Sequence, residues 1–136
     1  MHGYPLVVPI QVRWRDLDPL DHVNNAVFVT YLEYARIRAW QRFLEYSRGS
    51  DVPFVVARIA IDYRRPIRLT DEVEVGVRTA RVGRRSFTYE YRIEASGELA
   101  AEAESVQVLV DHASGRTIEV PPEMRRALEE MRGDQD

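Results

Sequence analysis

The 136-residue sequence contains no cysteine and no lysine, so all 19 of its basic residues are arginine. Without cysteine there are no disulfides, no thiolate metal sites and no cysteine nucleophile. Without lysine there is no Schiff-base chemistry and no lysine base. No apolar run approaches the roughly 18 residues that a membrane-spanning helix needs. The opening MHGYPLVVPI has neither the basic region nor the cleavage site of a secretion signal. No Gly-x-Ser-x-Gly elbow occurs, and the glycines are scattered singly, with no dinucleotide or phosphate-loop fingerprint. The three histidines, His2, His22 and His112, are too dispersed to suggest a metal site. A formal charge of −3 gives no electrostatic reason to expect nucleic acid as a partner. The expectation is a cytoplasmic protein with a single domain over 1–136 and no membrane partner.

What is present is a clear order of elements. Val8, Ile10, Val12 and Trp14 alternate with polar or turn residues, the period of a half-buried strand. From Ala26 to about Tyr46 the pattern becomes helical, with Phe28, Leu32, Ala35, Ala39 and Phe43 on one face. Its first two turns are apolar on every side, so that end is expected to be fully enclosed. Arg36, Arg38, Arg42 and Glu45 are expected to bring the second half out into solvent. After a loop over 47–53, period-two patterns return at Ala57–Tyr63, Val73–Val77 and Phe87–Ile93. A Ser96-Gly97 hairpin turn leads into a last strand over Leu99–Asp111, whose apolar phase slips near Ser105 as a bulge would make it. Pro122 opens a short helix with Met124, Leu128 and Met131 as its stripe.

Four strands follow the long helix with no further helices to make parallel crossovers, so the sheet is expected to be antiparallel. Its apolar face has one available cover, the helix. The expected class is therefore α+β, a five- to six-stranded antiparallel sheet wrapped around a long central helix, with a short C-terminal helix.

Only one stretch is dense in functional groups. Asp16 to Asn25, DLDPLDHVNN, sets three carboxylates, an imidazole and two amides directly before the helix. Asp21, Asn24 and Asn25, taken singly, read either as turn builders and helix caps or as members of a site. Asp18 and His22 are explained less well that way, because a cap needs one acceptor rather than a run of ionisable groups. The first backbone amides of a helix have no intrahelical partner and carry roughly half a positive charge. Beside such an end, a carboxylate is a candidate nucleophile or base, and the amide is a candidate polariser of a carbonyl.

Arg13-Trp14-Arg15-Asp16-Leu17-Asp18, then His22-Val23-Asn24-Asn25 and Tyr31-Leu32-Glu33-Tyr34-Ala35-Arg36, resemble the 4-hydroxybenzoyl-CoA thioesterase-like family of acyl-CoA thioesterases. Ile61-Asp62-Tyr63, Pro66 and Asp71 add weaker matches. The resemblance implies the hotdog fold and hydrolysis of an acyl-CoA, with coenzyme A entering as part of the substrate and no separate cofactor or metal. It implies Asp18 as the catalytic carboxylate, the Asn25 amide as the contact for the thioester oxygen, and His22 and Asn24 as residues shaping the site. A homodimer or homotetramer is implied too, with a partner's second strand lining the acyl pocket, so that Ile59 and Ile61, which by themselves read as core residues, become candidate lining. Arg64, Arg65, Arg84 and Arg85 are candidate contacts for the coenzyme A phosphates, against their alternative reading as solvated turn charge. An acyl-carrier protein is a second candidate carrier of the thioester. A domain that binds such thioesters without cleaving them is the competing reading. Asp21 stands where many relatives have glycine, a substitution that a left-handed turn tolerates in Asp better than in most residues.

Overall fold

The computed structural model describes residues 1–46 and 52–133. The elements in order are β1 (Leu6–Ile10), a 3-10 turn (Trp14–Asp16), α1 (Asn25–Phe43), β2 (Phe54–Tyr63), β3 (Val73–Val82), β4 (Ser86–Ala95), β5 (Glu98–Leu109) and α2 (Pro122–Glu130). The five strands form one antiparallel sheet in the order β1-β3-β4-β5-β2. This is the hotdog arrangement, with α1 lying on the inner face. The expected loop over 47–53 falls mostly outside the described residues.

The period-two apolar positions are the ones that meet the helix. Val73, Val75, Val77, Phe87, Tyr89, Tyr91 and Ile93 are all buried, as are Phe28, Leu32, Ala35 and Ala39 of α1. Each large apolar side chain removed from water contributes about 1.5–3 kcal/mol. Met124 and Leu128 of α2 and Met131 at its C-terminal cap are buried as their stripe predicts. At Ser96 and Gly97, φ values of 51° and 83° make the tight hairpin between β4 and β5.

Four expectations change. The first strand ends at Ile10, and Trp14 is 77% exposed, because Asp16 draws the chain into a turn before the alternation reaches it. The start of α1 is not enclosed all round. Phe28, Tyr31 and Leu32 are buried, but Ala26 is exposed and Val27 and Val29 are only half-buried, since the sheet covers one side. Arg36 is 3% exposed rather than solvated. It lies on the same stripe as Leu32, with Nη1 donating to the Tyr91 hydroxyl at 3.3 Å and the guanidinium 5.7 Å from the Trp40 ring. Ser105 marks no bulge. Ala101, Ser105, Gln107 and Leu109 all point inward and are buried, and the apolar phase breaks only because two inward positions are polar. The Tyr91 and Ser105 hydroxyls bond at 2.6 Å, and Gln107 reaches the Phe87 carbonyl. The extra residue nearest to Ser105 is on the neighbouring strand, Ala57 of β2, opposite Val106 and Gln107, and the other register shifts leave Ala100 of β5 and Ala80 of β3 without partners on β4. No helix among the described residues is long and apolar enough to cross a membrane.

Candidate active site

Residues 16–24 form a small closed loop that delivers Asp18 to the start of α1. Leu17 and Val23 pair as an antiparallel bridge, Asp18 N donates to the His22 carbonyl at 2.8 Å, and Asp21 N donates to the Asp18 carbonyl at 3.0 Å. Closing so short a loop needs a left-handed residue, and Asp21 supplies it with φ 61°. A short polar side chain makes that conformation cheaper than for most residues.

The Asp18 side chain is half-buried. Its Oδ1 accepts from Leu20 N at 2.9 Å and more weakly from His22 N at 3.4 Å. Its Oδ2 takes no hydrogen bond from any described residue. The carboxylate is thus held by one oxygen, with the other unengaged among the described residues. A cleft of about 480 Å³ opens beside it, lined also by His22, Asn24, Asn25, Phe28 and Tyr63. That volume lies within the range of small-molecule sites.

Across the cleft, Asn24 is the N-cap of α1, and its side chain accepts from Ala26 N at 2.8 Å. The Val27 amide bonds to the Asn24 carbonyl. The Asn25 amide, at the first helical position, has no intrahelical carbonyl to meet and lies at the electropositive end of the helix. Tyr63, at the end of β2, donates its hydroxyl to the Asn25 carbonyl at 2.7 Å and packs edge-on against Phe28 at 5.0 Å. Partial burial raises the Tyr63 phenol above its ordinary value, so it stays a protonated donor at neutral pH.

The structure brings Asp18, His22, Asn24, Asn25, Arg64 and Arg65 to this one cleft. Arg64 is half exposed and pairs with Glu102 at 3.1 Å. Arg65 is more tightly engaged, with Glu98 at 2.9 Å, Asp71 at 3.6 Å and the Ala95 carbonyl at 2.9 Å. Asp71 completes that knot by accepting from Arg68 N and Ser96 Oγ. Burial alone would raise the Asp71 carboxyl, but these bonds and the Arg65 charge outweigh it and hold it below the usual range.

Arg84 and Arg85 are elsewhere. They lie at the β3–β4 turn, where Arg84 pairs with Glu119 and Arg85 donates to Thr117. Ten-residue strands at about 3.3 Å per residue put that turn roughly 30 Å from the Asp18 end of the sheet. Within one chain they do not share the cleft. Ile59 and Ile61 point toward the helix side of β2 and are half-buried, outside the cleft lining.

Three residues close to the site were not assigned a part in it from the sequence: Asp16, Tyr31 and the Tyr63 hydroxyl. Asp16 is 1% exposed. Its Oδ2 accepts from Arg13 N at 3.0 Å and the Tyr31 hydroxyl at 2.8 Å, and its Oδ1 accepts from Arg13 Nε and Nη2 at 3.1 and 2.9 Å. Burial pushes this carboxyl up, yet the Arg13 amide, the guanidinium and the phenol together hold it below the ordinary value. The same arrangement drives the Tyr31 phenol well upward, through burial first and the adjacent carboxylate second. The repeated acid in Asp-x-Asp was the only available signal.

Comparison with known proteins points to one family. The profile described as the thioesterase-like superfamily matches residues 12–128. The long-chain acyl-CoA thioesterase FadM of Escherichia coli K12 is 29% identical over 126 residues, which cover 90% of this chain and 96% of that protein. The acyl-CoA thioester hydrolase YbgC of Escherichia coli O6:H1 is 30% identical over 107 residues, covering 76% and 80% respectively. Among solved structures, a thioesterase from Thermus thermophilus, crystallised with coenzyme A and zinc, superposes over the full length of both chains. It is 46% identical, with a TM-score of 0.89.

Proposed function

This chain belongs to the thioesterase-like superfamily, and from that membership and its cleft we propose that it hydrolyses an acyl-CoA thioester to a free acid and coenzyme A. The observation that carries the proposal is the Asp18 carboxylate, anchored through Oδ1 with Oδ2 unengaged among the described residues, in one cleft with Asn25, the first residue of α1. The relatives named above are a thioesterase and a thioester hydrolase acting on acyl-CoA.

The leaving group makes an aspartate sufficient. With cysteine as the model, at a pKa of about 8.5, the leaving thiol departs easily as thiolate. Oδ2 of Asp18 either attacks the carbonyl carbon, giving an anhydride that water opens, or takes the proton of an attacking water. Both routes use the same oxygen and place negative charge on the thioester oxygen. The Asn25 amide and the helix end stabilise that charge, a contact typically worth about 3–4 kcal/mol. His22 walls the cleft on the Asp18 side, and the Asn24 side chain serves as the cap that orients the helix end.

Arg64 is the arginine we assign to a coenzyme A phosphate. Its exposed pair with Glu102 is worth under about 1 kcal/mol, so a phosphate competes for it readily. Arg65 is held by three partners and serves the turn instead. A homodimer formed through β2 completes the site. β2 is an edge strand ten residues long, with Val55 and Tyr63 exposed and Ile59 and Ile61 half-buried beside it. A long bare edge of this kind is a template for pairing with another chain.

The test is thiol release measured over a panel of aryl, short-chain and long-chain acyl-CoAs and an acyl-carrier-protein thioester, with sedimentation of the same sample. Turnover on an acyl-CoA by a dimer or a multiple of it is expected. Saturable binding with no turnover anywhere in the panel would make the chain a thioester-binding domain instead.

A further inference from the structure

We infer that Asp16 and Tyr31 form a positioning clamp that sets the Asp18 carboxylate against the start of α1, without either touching substrate. This inference rests on the hydrolase reading above. Asp16 is itself no candidate for catalysis. It is buried, and four donors occupy its two oxygens, leaving no lone pair for the cleft.

Its position explains what it does. The loop that carries Asp18 springs from a stem where the Asp16 carbonyl accepts Asn24 N at 2.9 Å and Leu17 pairs with Val23. Asn24 is also the cap of α1, so this attachment lies at the very end of the helix. One attachment point at a helix end is a hinge. The Asp16 carboxylate makes a second, through the Tyr31 hydroxyl at 2.8 Å. Tyr31 lies seven residues beyond the cap, about 10 Å further along the axis. Two anchors that far apart convert the hinge into a fixed angle, while the Val23 amide holds the opposite flank to the Ile67 carbonyl at 2.7 Å. The angle matters because Asp18 is delivered by the loop and the Asn25 amide by the helix. Misplacing a reacting group by about 1 Å costs up to a hundredfold in rate.

An acceptor-only group is required at position 16. The backbone amide and guanidinium of Arg13 and the phenol of Tyr31 all present hydrogens, and only a carboxylate accepts from every one of them.

The test is Tyr31→Phe, which deletes one hydroxyl, keeps the ring in the core and leaves Asp16 paired with Arg13. The expected result is a fall in kcat of about ten- to a hundredfold with KM changed by less than about threefold. Amide hydrogen exchange is measured on the same variant. Faster exchange confined to residues 17–23, where the Asp18–His22 bond closes the loop, is expected. A kcat within threefold of the unaltered protein overturns the clamp. So does exchange that quickens equally through β3, β4 and β5, which is the mark of general loosening. Absence of turnover in the unaltered protein would sink the hydrolase reading. A protein that Asp18→Asn silences and Tyr31→Phe leaves at full kcat would sink the clamp alone.

Discussion

Replacing Asp16 by asparagine tests the buried carboxylate through stability rather than rate. Asparagine keeps one acceptor oxygen but turns an amide NH2 toward a site crowded with donors. Arg13 is 55% exposed, so its guanidinium returns to water and that exposed part of the loss stays under about 1 kcal/mol. The buried bond from Tyr31 changes from charge-assisted to neutral, at a cost of about 1 kcal/mol. A total near 2 kcal/mol follows, which for a domain of this length is a fall in Tm of about 8 °C. The pH dependence is the sharper signature. A carboxyl held below its unfolded value of about 4 contributes stability above that value and loses it as pH falls through the folded one. The gap between the unaltered protein and Asp16→Asn is therefore full at pH 7 and shrinks below about pH 4. Asp71 is also held low, but it titrates in both proteins and cancels in the difference. Thermal melts at equal protein concentration across this range measure the gap. A gap that is the same at pH 3 as at pH 7, or no gap at pH 7, would show that the Asp16 charge adds nothing to the stability of the fold.

Arg64→Ala is expected to raise KM for acyl-CoA several-fold with kcat little changed, since it removes a contact made equally in ground and transition states; steady-state kinetics reads both. Arg36→Met is expected to leave stability within about 1 kcal/mol or to raise it, because a buried guanidinium with no carboxylate partner among the described residues carries a desolvation cost of several kcal/mol. Urea denaturation checks this, and a loss above 2 kcal/mol contradicts it. Asp21→Gly is expected to be neutral or slightly stabilising, and Asp21→Val to cost about 1–2 kcal/mol for its left-handed backbone, both measurable by the same denaturation.

The sheet and the helix were legible because their signals are local. Val73, Val75 and Val77 alternate, and Phe28, Leu32, Ala35 and Ala39 keep their spacing, whatever else the chain does. The loop carrying Asp18 was legible for a similar reason: cap, left-handed residue and acid all lie within ten residues. Arg36 was misread because a charge on an apolar stripe gives no sign that Tyr91, 55 residues away, will receive it. Ser105 was misread because a polar inward position and an inserted residue disturb an alternating pattern alike. Arg84 and Arg85 look like Arg64 and Arg65 in sequence, two arginines beside a turn. Strand pairing alone decides that one pair lies at the cleft and the other at the far end. Asp16 and Asp18 were alike until Tyr31, fifteen residues further on, bound one of them.

Single-turnover thiol release from an acyl-CoA that the unaltered protein cleaves, repeated with Asp18→Asn, decides whether Asp18 carries the hydrolysis. The variant keeps an oxygen able to accept from Leu20 N and should melt within a few degrees of the parent. A rate at least a thousandfold lower at unchanged fold is the result predicted for the loss of the nucleophile or base. A folded Asp18→Asn protein that releases thiol at an undiminished rate would show that the chemistry belongs to another group.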